Sequence, residues 1–227
     1  MPAMPIFNLA NLFEQAVDAW PDREYIVAEG QRRTFAEMDA RANRLAHHLA
    51  ASGIGPGDHV GIYAYNCVEW VEALWACFKI RAVWININYR YVEDELRYLF
   101  DNADLKGLVY GREFAPRVRN VLDVMPMLKH TVVIEDGSEA DLSGLGSVPY
   151  EEALAGQSEE RDFDHCSSSV RPFDDGSWCV AHSCSGTSAG DPYHTSWCIQ
   201  EGVGITAVSW FFSGGIHSEG SVHLVID

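Results

Sequence analysis

His59-Val60-Gly61-Ile62-Tyr63-Ala64-Tyr65, Ala82-Val83-Trp84-Ile85-Asn86-Ile87, Leu105-Lys106-Gly107-Leu108-Val109-Tyr110 and His130-Thr131-Val132-Val133-Ile134-Glu135 are four short apolar runs, and what lies between them decides the fold. Each run has the length of a strand. The second is apolar on both faces, as strands of a parallel sheet are. Between the first two, Val71, Leu74, Trp75 and Phe78 recur at helical spacing. After the second, Leu96, Leu99 and Ala103 do the same over a helix read as Val92 to Ala103. Glu113 to Val124 reads as a third helix. Strands alternating with helices in this way predict a doubly wound α/β fold, mainly parallel and flanked by helices. Val60 to Tyr63 and Val83 to Ile85 are expected as adjacent or near-adjacent buried strands.

Outward toward the start, Asn8 to Trp20 predicts a helix with Leu9, Leu12, Phe13, Ala16 and Val17 on one face. Asn8 caps it and Pro21-Asp22 ends it. Glu24 to Ala28 and Arg32 to Phe35 read as a hairpin turning at Glu29-Gly30-Gln31. Thr34-Phe35-Ala36-Glu37 is a capping box. It opens a helix to about Ser52, with Phe35, Met38, Ala42, Leu45, Ala46 and Leu49 buried. Gly53 suits the left-handed residue after it. Asn66-Cys67-Val68-Glu69 reads as another cap. Outward toward the end, Asp136 to Val148 is a surface loop, Tyr150 to Ala155 a short helix, and Gln157 to Asp164 a polar, acidic linker. From Cys166 onward helical periodicity stops, and Ser, Gly, Cys and Trp crowd together, with Ile205 to Phe212 and Ser221 to Ile226 the only strand candidates. The reading is therefore two parts, 1–164 and 165–227, the second a tail of poorly defined fold.

The 227 residues are 47% hydrophobic, enough for one sizeable core, and carry a net charge of −17 with a pI near 4.8. So acidic a surface disfavours nucleic acid and anionic membranes as partners. It does not disfavour phosphate-bearing ligands, whose pockets are local and built largely of backbone N–H groups. Met1 to Pro5 lacks a basic leader, and no apolar run is long enough to span a bilayer. A soluble cytoplasmic protein is the expectation. Cys67 and Cys77 read as core thiols.

Four strings carry a resemblance. They are Thr34 through Ala46 (Thr34-Phe35-Ala36-Glu37-Met38-Asp39-Ala40-Arg41-Ala42-Asn43-Arg44-Leu45-Ala46), Gly53-Ile54-Gly55-Pro56-Gly57-Asp58-His59-Val60-Gly61-Ile62, and Asn66-Cys67-Val68-Glu69-Trp70 followed by Ile85 through Leu96. In their order and spacing, residues from about Asn8 to Asp164 resemble the N-terminal subdomain of the adenylate-forming superfamily, in particular bacterial fatty acyl-CoA synthetases. The resemblance implies a two-step reaction. A carboxylate attacks the α-phosphate of ATP to give acyl-AMP and pyrophosphate, and the thiol of coenzyme A then displaces AMP. Mg²⁺ neutralises the phosphates in such enzymes, and a small-molecule carboxylic acid is the implied partner.

The family's phosphate loop is Ser/Thr/Gly-rich and ends in Gly-x-Pro-Lys-Gly. Here Ser183-Cys184-Ser185-Gly186-Thr187-Ser188-Ala189-Gly190-Asp191-Pro192-Tyr193-His194 occupies that place. By resemblance Ser185, Gly186, Thr187, Ser188 and Gly190 are the nucleotide-contacting candidates. Ala189 is one residue too many, Tyr193 stands for the lysine and His194 for the glycine. Tyrosine supplies no cation, and a side chain in place of glycine opposes a left-handed turn. The family's adenine-contacting segments, hinge and small C-terminal domain would lie beyond Asp227. The expectation is a truncated or frame-disrupted ligase, inactive alone, with no catalytic residue of its own.

Two alternatives stay open: a non-catalytic α/β binding or remnant module, and a small zinc-binding protein using Cys179, His182, Cys184, His194 and Cys198. The spacing of those five matches no standard zinc motif. His47 and His48 read as structural, at most one of them facing the core. Tyr89, Arg90 and Tyr91 follow a strand's carboxyl end, where α/β proteins place ligands, although they can equally pack on the next helix. Trp70, Trp75 and Trp84 read as core. Glu93-Asp94-Glu95 reads as a helix's first turn rather than a metal site.

Overall fold

A computed structural model describes residues 8–163 other than Glu29, and beyond them only the backbone of four short strands. Those are β8 (Arg171–Pro172), β9 (Trp178–Ala181), β10 (Trp197–Ile199) and β11 (Leu224–Val225). β8, β9 and β10 pair antiparallel, and β11 runs parallel to β1. The expected strand at 205–212 lies outside the described residues.

The first helix, α1 (Leu9–Ala19), starts at Asn8, whose side chain accepts from the Ala10 N–H at 2.8 Å. β1 (Glu24–Ala28) and β2 (Gln31–Thr34) form the expected hairpin. α2 (Phe35–Ala51) opens on the capping box: the Glu37 N–H donates to Thr34 Oγ1 at 3.2 Å, and the Thr34 N–H donates to Glu37 Oε2 at 2.8 Å. Gly53 follows at φ +81°, the left-handed exit that a residue without Cβ makes cheaply.

β3 (His59–Tyr63), β4 (Val83–Asn86), β5 (Leu105–Gly111), β6 (His130–Ile134) and β7 (Val148–Pro149) form a five-stranded sheet in the order β4-β3-β5-β6-β7, every pairing parallel. The adjacency of β3 and β4 is as expected. β4 stands at one end of the sheet, with Trp84 and Ile85 buried on its two faces. α3 (Val68–Lys79) joins β3 to β4 and α4 (Glu93–Ala103) joins β4 to β5. α5 (Ala115–Asn120) precedes β6, and α6 (Tyr150–Leu154) follows β7. One core cluster joins the sheet to α1, α2, α3 and α6 through Phe13, Met38, Leu45, Trp70, Ala73 and Tyr150. The other joins the opposite face to α4 and α5 through Leu96, Phe100, Ala115 and Val118. Trp70 and Trp84 are buried in the core and Trp75 packs against it: Trp70 meets Trp84 edge-on at 5.4 Å, and Trp75 stacks on Phe13 at 4.2 Å.

Three local expectations are corrected. The helix read as Glu113 to Val124 is broken into a 3₁₀ turn (Arg112–Phe114), α5 and a second 3₁₀ turn (Leu122–Val124). Pro116 explains the break, because proline fits the first turn of a helix and not its interior. The cap before α3 is Cys67, with no side-chain capping bond, so Asn66 does not cap it. The described part, 157–163, of the segment read as a linker from Gln157 to Asp164 lies along α2.

Both histidines at the end of α2 find partners. His48 Nε2 sits 2.8 Å from His130 Nε2, so one imidazole donates and the other accepts. His47 Nε2 lies 3.0 Å from the Glu160 carbonyl and 3.1 Å from Asp162 Oδ1. Burial holds the pKa of both His48 and His130 below the ordinary histidine value, and His130 lowers that of His48 further. A histidine with a depressed folded pKa contributes stability that is present above its unfolded pKa and lost as pH falls through the folded one. Melting temperature is therefore expected to fall as pH drops from neutral to below about 6.5. The double variant His48→Gln with His130→Gln, which keeps hydrogen-bonding groups and cannot titrate, flattens that part of the profile.

Candidate functional site at the carboxyl end of the sheet

The chain leaves β3 for β4 on one side and later returns to place β5 on the other. That reversal is a topological switch point, and in open α/β sheets the crevice outside the carboxyl ends of such strands is where ligands bind. Here an aromatic group occupies it. Tyr63, the last residue of β3, lies 4.4 Å from Phe114 between ring centroids. Tyr65, 40% exposed, lies 4.9 Å from Tyr89 and 5.1 Å from Phe114. Tyr65 donates a long hydrogen bond of 3.4 Å to Glu113 Oε1.

Arg117 of α5 holds this end of the sheet together. Its Nη1 donates to Tyr63 Oη at 3.0 Å and to the carbonyls of Tyr89 and Tyr91, each at 3.2 Å. Tyr63 in turn donates to the Tyr91 carbonyl at 2.7 Å. The guanidinium also sits 5.6 Å from the centre of the Phe114 ring. Burial raises the pKa of Tyr63, against the lowering effect of Arg117, so the phenol stays protonated and able to donate. The loop from β4 to α4 is thus pinned at two carbonyls. α4 then starts with Glu93, Asp94 and Glu95 in its first turn, and the Val92 N–H donates to Glu95 Oε2 at 3.1 Å. The acidic run is a helix start, as its sequence indicates.

Of the residues singled out in the sequence, Tyr89 and Tyr91 reach this end of the sheet, and Arg90 lies over the Tyr89 ring at 5.4 Å. Arg117, Phe114, Tyr63 and Tyr65 were not singled out. Nothing local marks them, because Arg117 lies 54 residues from Tyr63. Truncating Arg117 to alanine is expected to release the loop. Amide exchange across 87–92 should accelerate by roughly tenfold, which is what losing about 1–2 kcal/mol of hydrogen bonding produces. Unaltered exchange there would show that Tyr63 alone holds the loop. The nucleotide-contacting candidates Ser185, Gly186, Thr187, Ser188 and Gly190 lie outside the described residues. So do the side chains of Cys179, His182, Cys184, His194 and Cys198. Among the described residues no three His, Cys, Asp or Glu side chains converge as a metal site, and no helix is long and apolar enough to cross a membrane.

The parallel five-stranded sheet, flanked by helices on both faces, is that of the N-terminal part of adenylate-forming enzymes. It superposes on an anthranilate CoA ligase bound to anthranoyl-AMP with a TM-score of 0.64 at 22% identity, over 69% of this chain and 29% of that one. A fatty acyl CoA synthetase of Mycobacterium tuberculosis gives 0.61 at 22% identity, over 72% and 31%. With the model of the AMP-binding enzyme family matching residues 13–173, the chain belongs to that family. Among its relatives, a 3-oxocholest-4-en-26-oate–CoA ligase of Rhodococcus rhodochrous is 50% identical over 157 residues. A medium/long-chain-fatty-acid–CoA/3-oxocholest-4-en-26-oate–CoA ligase of Mycobacterium marinum is 47% identical over 156. Each match covers 69% of this chain, and the chain spans 28% of the length of either relative.

Proposed function

We propose that this chain supplies the N-terminal α/β layer of an AMP-forming acyl-CoA ligase that acts in the cytoplasm on a fatty-acid or sterol-type carboxylic acid. The observation that carries the reading is the 50% identity to the Rhodococcus ligase over 157 residues. In the reaction, the carboxylate displaces pyrophosphate at the α-phosphate of ATP, and coenzyme A then displaces AMP to leave the thioester. Mg²⁺ would screen the phosphate charge. Within this chain the layer is assigned to 1–164. The tail, 165–227, carries the phosphate-loop-like segment 183–194, in which Ser185, Gly186, Thr187, Ser188 and Gly190 would meet phosphate oxygens. The described residues contribute scaffold and the pinned carboxyl end of the sheet.

A chimera tests this. Residues 8–163 replace the matching portion of the Rhodococcus ligase, and acyl-CoA formation is followed with 3-oxocholest-4-en-26-oate and with medium- and long-chain fatty acids. Activity within roughly tenfold of the parent is expected, since substitutions away from special features cost little. A chimera that melts like the parent and forms no acyl-CoA would overturn the proposal. In a pyrophosphate-release assay with the same acids, the 227-residue chain alone is expected to show no turnover above a heat-killed control. Tyr193 in place of lysine loses a charge-assisted phosphate contact, by itself about a tenfold to hundredfold loss. Turnover by the chain alone, abolished by Thr187→Ala with Ser188→Ala, would show that the altered loop works.

A further inference from the structure

The seven residues 157–163 have the composition of a linker, yet they are bonded to α2. They lie on a polar stripe of α2, on Asp39, Asn43 and His47, which are spaced four apart and so share one face. Asn43 Nδ2 donates to the Glu159 carbonyl at 2.7 Å, and His47 Nε2 meets the Glu160 carbonyl. Arg44 pairs with the Glu159 carboxylate, and the Phe163 ring sits 4.6 Å from that of His47. Arg161 reaches inward: its Nε donates to Asp39 Oδ2 and its Nη1 to Asp18 Oδ1, each at 2.8 Å.

Asp39 makes this more than surface decoration. Its side chain is 8% exposed and already shares Lys79, whose own side chain is fully buried, with Glu14. Glu14, Lys79 and Asp39 together carry one excess negative charge in a buried place. Leaving such a charge uncompensated is costly, and Arg161 is the cation that balances it. Undocking the segment therefore does two things at once: it bares the partly buried Gln157, Arg161 and Phe163 and strips the counter-charge from a set that ties α1, α2 and α3 together.

We infer that residues 157–163 form an ionic clasp, seated on the Asp39–Asn43–His47 stripe and locked by Arg161, that fixes where the chain leaves the α/β layer. Because Nε and Nη1 of Arg161 serve two different carboxylates, lysine cannot replace it fully. Because Asp39 is buried, salt weakens the outer Arg44–Glu159 and Arg161–Asp18 links and leaves the inner one largely intact.

The test uses the full 227-residue chain and a glutamyl endopeptidase, which cuts after Glu159 and Glu160. Cleavage there is expected to be at least about tenfold slower than in a free peptide spanning 154–166, because cutting follows the population of the open form. Equal rates in chain and peptide overturn the clasp outright, with no variant needed. Arg161→Ala is expected to raise the rate after Glu159 and Glu160 by about tenfold or more, and Arg161→Lys by less, while cleavage after Glu139 in the exposed loop stays constant. An unchanged rate in Arg161→Ala overturns the proposal. If Arg161→Ala loosens the whole layer, cleavage after Glu139 rises too, and Asp18→Asn decides. It removes only the exposed partner, and a several-fold rise confined to Glu159 and Glu160 supports the clasp, whereas no rise or a uniform one overturns it.

Discussion

Replacing Lys79 by alanine is expected to destabilise the α/β layer by roughly 3–5 kcal/mol, the cost of breaking a buried ion pair by removing one partner. Lys79 Nζ donates to Glu14 Oε1 at 2.6 Å and to Asp39 Oδ1 at 2.8 Å, and its side chain has no exposure at all. Without it two largely buried carboxylates are left without the cation they share. Arg161 can neutralise only one of them. A loss of that size is a large share of a domain's whole stability, so the variant should be largely unfolded or strongly shifted in urea. Lys79→Met combined with Glu14→Gln and Asp39→Asn removes the charges together and should regain most of the loss. If Lys79→Ala unfolds at the wild-type urea midpoint, the ion cluster contributes nothing and the argument for the clasp loses its physical basis as well.

The second large effect is expected at Gly61, in the middle of the sheet. A Cβ built there would lie 2.7 Å from Ile87 Cδ1 and 3.0 Å from both Leu105 Cδ1 and Leu108 Cδ1. Each neighbour is the end of a side chain that can move. All three belong to one packed cluster, however, and must move together. Gly61→Val gains β-propensity and fills space that is already full. Overpacking wins, at about 1–3 kcal/mol. Gly55→Ala is the control, with nothing within 4 Å of its added carbon and a change of no more than about 0.5 kcal/mol expected. A Gly61→Val protein as stable as wild type in urea, with an unchanged slope, would show that the cluster around Ile87 has slack.

A similar cluster of buried charge on the same face of the sheet was also unforeseen. Glu72, fully buried, accepts from Arg41 Nε at 2.6 Å and from Tyr150 Oη at 2.9 Å, so α2, α3 and α6 meet over one carboxylate. Burial raises the pKa of Glu72 even against Arg41 and Tyr150. In the sequence, Glu72 is only a polar residue among apolar ones on α3.

What the sequence determined by itself is what short-range physics controls. Short apolar runs set against the 3.6-residue period located every strand of the sheet but the two-residue β7, and the helices between them. The capping box at Thr34 and Glu37 is complete within four residues and needs no tertiary partner. Pro116 was visible too, and its consequence for the helix read from Glu113 follows from its missing N–H. The family resemblance was likewise legible, because its strings depend on order and spacing. Only the tertiary structure decided which polar side chains meet. Arg117 finds Tyr63 across 54 residues, His48 finds His130 across 82, and Arg161 finds Asp39 across 122. Each is an unremarkable polar residue in its own neighbourhood. Each pairing exists because the sheet's strand order brings distant elements together, and a buried charge or hydrogen-bonding group, cut off from water, must take whatever partner that order supplies.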